Sequence, residues 1–508
     1  MRLLLGLAVL LVLPAGLRAE VRLPAIFGDH MVLQQKTPLR VWGWAGVGEG
    51  VTVTLGGDSA QATADAQCRW RVNLPARPAG GPFDLEVKGQ NTVTLHDVMI
   101  GEVWLCSGQS NMQWEVNRVQ NFTQELPAAN HPLLRLFNIP RTSVPDPQTD
   151  VKAAWAVCTT ASVNTFSGIG YFFGRELQET LQVPVGMINA SYSGSAAEAW
   201  TDRASLLADP VIKVTLDNFQ NALNDYSAKY YKNHADQMRA WLPAADAAHA
   251  AGQALPPPPI DFVEEYADPR GAYGYPTSFF NGMIAPLAPL AVAGAIWNQG
   301  ESNLGRDAQY RVLQPALVRG WRKAFENENL AFIAVQMPNE GPRQAQPAES
   351  SWAALREAQE AVLQLPRTGL SVTVDLGTGD LHPINKQDFG HRLALIAEAT
   401  VYGKPVVYSG PIFAGLNLAG PQATVTFTHT EGGLRTHDGG PVKGFALCGA
   451  DKKWFWATAT IAGDTVVVKS DQVPAPTALR YGWGDNPEVN LENGSGLPAR
   501  PFRTDGGP

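Results

Sequence analysis

A serine hydroxyl attacks an ester only when a base accepts its proton, and a carboxylate that fixes the base's tautomer strengthens it. Four short stretches of this 508-residue chain carry the parts of such a site. An apolar run ends at Cys106 and opens into Ser107-Gly108-Gln109-Ser110-Asn111-Met112. Asn189 leads into the small-residue loop Ala190-Ser191-Tyr192-Ser193-Gly194-Ser195. Ile296 leads into Trp297-Asn298-Gln299-Gly300-Glu301-Ser302-Asn303, and Leu376 into Gly377-Thr378-Gly379-Asp380-Leu381-His382-Pro383. A serine, a glycine turn, an amide-bearing loop and an Asp-x-His pair together suit acyl transfer. Ser110 is the candidate nucleophile and His382 the base. Asp380 is the candidate orienter, since residues two apart in an extended segment project to one side. The tetrahedral intermediate needs donors aimed at its oxyanion. Backbone N–H groups of Ser110 and Gly194, with a side-chain amide from Gln299 or Asn298, are the candidates.

Each part also has a plain structural reading. Ser110-Asn111-Met112-Gln113 is an S-x-x-Q capping box, in which the serine oxygen would cap a helix and Gln113 would reach back. Gly194 can be a tight turn, Gln299-Gly300-Glu301 a surface turn, and Asp380 to Pro383 a loop ending a strand. Asp375 is a rival carboxylate for the histidine. A metal set of Asp375, Asp380 and His382 lacks a His-Glu-x-x-His motif or a Cys/His cluster, so no metal is assigned. Trp114, Trp200 and Trp297 lie beside the motifs and read as sugar platforms or as core. His30, His96 and His391 have no comparable partners and read as structural.

The elements that must position these residues show in the patterning. Val98 to Leu105, Val183 to Asn189, Val292 to Asn298, Leu330 to Met337 and Leu370 to Leu376 read as fully buried strands. Helical patterns such as Gly170 to Leu181 and Trp352 to Leu363 lie between them. That alternation predicts an α/β domain over 98–400, a parallel sheet covered on both faces with its site beyond the carboxyl ends of the strands. A helical excursion is expected over about 204–271. Alternating strands before it (20–97) and after it (401–508) predict N- and C-terminal β regions.

Composition narrows the function. A net charge of −8 without a basic stripe argues against a nucleic-acid partner, and 17% charged against 45% hydrophobic residues suits a globular chain. Residues 1–19 pair Arg2 with an apolar stretch to Leu13 and end in a small-residue exit at Ala19. They read as a cleaved signal peptide, too short to span a bilayer, which predicts a periplasmic or secreted protein. Cys68, Cys106, Cys158 and Cys448 are widely spaced, and no pairing can be read from them.

The motifs GQSNM, NASYSGSAAEAW, WNQGESN and DLHP, in that order, resemble the sialate O-acetylesterase family of carbohydrate esterases within the SGNH hydrolases. PAIFGDHMVLQQKTPLRVWGWA at 24–45 and PTSFFNGMIAPL at 276–287 extend the resemblance over nearly the whole chain. It implies a flavodoxin-like three-layer α/β/α domain between β regions, working without metal or organic cofactor. It also implies Ser110 as nucleophile, Asp380 and His382 as its partners, and Ser110, Gly194 and Gln299 as oxyanion donors, with Glu301 organising its loop. Ser193 stands where the family often has a glycine. The reading is a secreted serine esterase that removes O-acetyl groups from a carbohydrate through an acetyl-enzyme. A sialic acid substrate is implied by the resemblance, with acetylated xylan or xyloglucan as the alternative. A non-catalytic carbohydrate-binding protein on the same fold is the alternative of another class.

Overall fold

The computed structural model describes residues 20–259, 268–271 and 274–506; the expected signal peptide at 1–19 lies outside them. At its centre is a sheet whose strands run, edge to edge, Thr368–Ser371, Ala331–Val335, Gly294–Asn298, Thr92–Gly108, Val185–Ser191, His131–Asn138 and Trp155–Cys158. Neighbours are parallel except the last pair. The Val185–Ser191, Gly294–Asn298 and Ala331–Val335 strands are buried at every residue, as a parallel sheet covered on both faces requires.

Side chains alternate between two cores. Val103, Leu105 and Trp297 face one, while Trp104, Cys106 and Ile296 face the other. Gly168–Leu181 and Lys386–Thr400 cover the second core, and Asp307–Ala324 and Ser351–Gln359 cover the first. The three-layer α/β/α expectation is met. The chain winds from Thr92–Gly108 first to one side and then to the other, so Gly108 ends at the crevice where winding reverses.

The sequence reading differs from the structure in several places. His131–Asn138 and Trp155–Cys158 were not foreseen as strands. The apolar run of the first is broken by Arg135, which is buried here against Asp97 at 2.5 Å. The last parallel strand stops at Ser371, and the chain beyond it is held from outside the sheet, Arg392 donating to the Val372 carbonyl at 2.8 Å. The change of texture near Asp97 falls inside a single 17-residue strand. Its first half pairs with Gly80–Lys88 and its second half with the central sheet. Buried Glu102 in that strand accepts from Gln34, Gln35 and Tyr402 at 2.7–2.9 Å, joining the N-terminal β region to the domain.

Within 204–271 the main element is the helix Pro210–Ala250, of which only Ile212, Leu216 and Ala245 are buried. Asp209 caps it and proline sits in its first turn, a strong start signal. Among the described residues no helix is long and apolar enough to cross a membrane. The C-terminal strands build their own core. Arg356, fully buried, joins that region to the α/β domain by donating to the carbonyls of Met337, Pro338, Gly484 and Asp485. All four cysteines are free thiols.

Gly108 is where strand becomes loop. Its φ is +132°, and a Cβ there would lie 2.1 Å from the Asn298 carbonyl oxygen. The approach lets Gln109 N–H donate to that oxygen at 2.9 Å while Tyr192 N–H donates to the Gly108 carbonyl at 3.0 Å. Backbone strain and overpacking together are expected to make Gly108→Ala destabilising by about 3 kcal/mol. A denaturant midpoint equal to that of the parent protein would contradict this.

Candidate active site

Ser110 is the first residue of a one-turn helix, Ser110–Gln113, and Gln109 occupies the cap position without a side-chain cap bond. The turn at Gly108 thus moves the serine one place inside the helix, and the capping box does not form. Gln113 instead reaches sideways, its Oε1 accepting from Ser193 N–H at 2.7 Å. Among the described residues nothing is hydrogen-bonded to the Ser110 hydroxyl. As the first helical residue it also has a backbone N–H without an intrahelical acceptor.

A cavity of about 300 Å³ is lined by Ser110 and His382 together with Gln113, Trp114, Arg118 and Arg141, and Glu115 and Ser193 complete its rim. Residues 272 positions apart in the chain thus meet at one opening (382 − 110). A second cleft of about 360 Å³ shares Gln113, Glu115 and Arg141 with it. His382 is half-buried and stacks on Trp114, with ring centroids 5.2 Å apart and planes at 24°. Its Nε2 is buried and has no hydrogen-bond partner. Burial, then the charges of Lys386 and Arg118, hold its pKa below the usual 6.5.

The carboxylates behave differently from one another. Asp380 is exposed, and its Oδ2 accepts from Thr378 Oγ1 at 3.3 Å; no hydrogen bond joins it to His382. Asp375 is held by both terminal nitrogens of Arg392 at 2.6 and 2.7 Å, which removes it as a rival partner. The loop between them is steadied from the C-terminal region: Gly341 N–H donates to Gly379 O at 2.9 Å, and Asn486 donates to Gly341 O at 2.6 Å.

Gln299 is fully buried, and its amide faces inward. Its Nε2 donates to Gln109 Oε1 at 3.2 Å, Ser195 O at 3.1 Å and Asn303 Oδ1 at 2.7 Å, while Tyr310 donates to its Oε1 at 2.9 Å. With both amide hydrogens engaged, this side chain fastens three loops together and has none left for an oxyanion. Asn298, the other amide considered, is fully buried with neither side-chain atom paired. Gly194 sits in an open turn at φ +70°, next to Ser193 on the cavity rim. Trp200 and Trp297 are core residues, leaving Trp114 alone of the three at the cavity. His30, His96 and His391 each pair with a carboxylate away from the cavity.

Two residues with no assigned role in the sequence reading lie beneath Ser110 and His382. Asn111 Nδ2 donates to Glu301 Oε1 at 2.9 Å and to Leu381 O at 3.0 Å, and Lys386 Nζ donates to Asn111 Oδ1 at 2.7 Å. Glu301, for which the family resemblance implies a loop-organising role, is a carboxyl whose pKa burial pushes up. The available signal was adjacency: Asn111 follows Ser110, and Lys386 lies four residues after His382.

Comparison with known proteins agrees with this architecture. Residues 100–239 match the family described as carbohydrate esterase, sialic acid-specific acetylesterase. The chain is 28% identical to the sialate O-acetylesterase of Homo sapiens, aligned over 100% of this chain and 98% of that protein. It is 27% identical to the Rattus norvegicus sialate O-acetylesterase over 98% and 97% of the two. A crystal structure of a carbohydrate acetylesterase from Xanthomonas citri is 36% identical, covers 96% of this chain and 99% of that one, and superposes with a TM-score of 0.80.

A base that must be neutral to act, with its pKa held down, stays active into mild acid. The acid limb of kcat/KM on a small acetyl ester is therefore expected below pH 6.5. A limb above that value would contradict the environment described for His382.

Proposed function

This chain belongs to the carbohydrate esterase family of sialic acid-specific acetylesterases, and from that premise we propose that it is an exported serine esterase acting through an acetyl-enzyme. The observation that carries the reading is the cavity that Ser110 and His382 line together, with the His382 Nε2 unpartnered in the same structure. Ser110 Oγ attacks the acetyl carbonyl while His382 takes its proton. The oxyanion forms against backbone N–H groups at Ser110 and Gly194. Collapse breaks the ester bond, His382 protonates the departing sugar oxygen, and water repeats the sequence on the acetyl-serine. Asp380 serves as the orienter of His382. Hydrogen bonds of this kind tighten around substrate, and the exposed Asp380 carboxylate lies two residues away with only a long 3.3 Å bond from Thr378.

Arg118 and Arg141 both line the cavity, and among the described residues no carboxylate pairs with either. Two guanidinium groups in a small polar cavity favour a sugar bearing a carboxylate. This supports an O-acetylated sialic acid over neutral xylan or xyloglucan. Export rests on the pattern of residues 1–19. N-terminal sequencing of the mature protein is expected to begin at Glu20.

Ser110→Ala is expected to lower kcat by on the order of 10³-fold or more, and Asp380→Asn by on the order of 10²-fold or more, with folding retained. Parental activity in Ser110→Ala would sink the assignment. Arg141→Ala is expected to raise KM for O-acetylated sialic acid by about 10-fold while leaving acetylated xylo-oligosaccharides unaffected. Equal effects on both substrates would remove the carboxylate preference.

A further inference from the structure

Lys386 and Asn111 are fully buried, and Glu301 Oε1 lies within the same chain of hydrogen bonds. Removing a lone ammonium or carboxylate from water costs several kcal/mol after relaxation, so a fold rarely keeps one without a specific use. Here the lysine and the carboxyl group are joined through a neutral amide. The amide belongs to the residue after Ser110, and its second donor bond ends on the carbonyl of the residue before His382. The chain therefore ties together the 110 turn, the 301 turn and the 381 loop, which come from three separate strand ends.

We propose that Lys386, acting through Asn111 and Glu301, is a positioning residue for the acyl transfer: it locks the nucleophile's turn to the histidine's loop and sets the charge beneath the imidazole. The inference rests on the Ser110/His382 reading above. Lys386 Nζ lies 5.7 Å from the ring centre of Trp114, the ring on which His382 stacks, and 4.9 Å from that of Phe389. Other charged or titratable groups lining the cavity with the imidazole are Arg118 and Glu115 from the 115–118 segment and Arg141 from its loop, and Asp380 stands two residues before it on its own loop. Glu301 faces the lysine from the strand end at 298. Burial brings the Lys386 pKa down to about 7. The ammonium is thus charged over the range in which His382 titrates, and it favours the neutral imidazole that accepts the serine proton.

Two variants test this. Lys386→Met removes the amine, and Asn111→Ala cuts the tie while leaving Lys386 and Glu301 in place. Each is expected to lower kcat on a small acetyl ester by about 10- to 100-fold with KM within about twofold, as misplacement of reacting groups does. Lys386→Met is also expected to move the acid limb of kcat/KM to higher pH, because loss of the nearby cation lets the imidazole hold its proton more tightly. A purely structural role would not move that limb. Parental kcat in Asn111→Ala, or an unmoved limb in a folded Lys386→Met, overturns the proposal. If Lys386→Met does not fold, Asn111→Ala decides alone. Titration of His382 by NMR in the parent and in Lys386→Met reads the coupling without turnover. It therefore separates failure of this inference from failure of the esterase reading, which would appear as a parent protein inactive on acetyl esters.

Discussion

At the carboxyl edge of the sheet, Gly108 lies so close to Asn298 that no side chain fits between the two backbones. That approach is possible because Thr92–Gly108 runs parallel to Gly294–Asn298 on one side and to Val185–Ser191 on the other. Three strand ends are thereby brought level, and the loops leaving them must share one small volume. Ser110 leaves the first, Ser193 and Gly194 the second, and Gln299 and Glu301 the third. The Gln299 amide completes the arrangement by bonding Gln109, Ser195 and Asn303. A loop held at one end only would leave the serine free to turn toward solvent; held this way, its hydroxyl has the cavity as its outlet.

The histidine reaches the cavity by a different route. Its loop follows a strand that ends early at Ser371, and hydrogen bonding with the sheet no longer fixes its path. Support comes instead from the C-terminal region, through Gly341 and Asn486, and from below through Asn111. The C-terminal β region is thus part of what holds His382, although it contributes no residue to the cavity lining around it. Buried Arg356 explains how that region stays fixed: its four carbonyl partners span both sides of the junction.

What could be read in the sequence, and what could not, follows from the physics of each element. Continuous apolar runs ending in polar small-residue loops mark buried parallel strands and their carboxyl ends, so the sheet and the four site-bearing loops were visible. His131–Asn138 was not, because Arg135 interrupts its apolar run and only a distant partner, Asp97, makes that burial tolerable. The roles of amides were also out of reach. Gln299 and Gln113 carry the same group, and whether it faces a cavity or a neighbouring loop depends on partners about 80 to 190 residues away. Lys386 reads as an ordinary helix-start residue, and only the fold puts it under Trp114 and against Asn111. The expected pairing of Asp380 with His382 followed from their two-residue spacing. The loop curves enough to leave that carboxylate on Thr378.

These features meet in one claim, that Ser110 is transiently acetylated. The direct measurement is mass spectrometry of the protein quenched during turnover of an activated acetyl ester, followed by peptide mapping. One acetyl group on the peptide containing Ser110, absent from Ser110→Ala, is the expected result. Turnover with no acetyl-protein detectable, or acetyl carried stoichiometrically on another residue, would contradict the account.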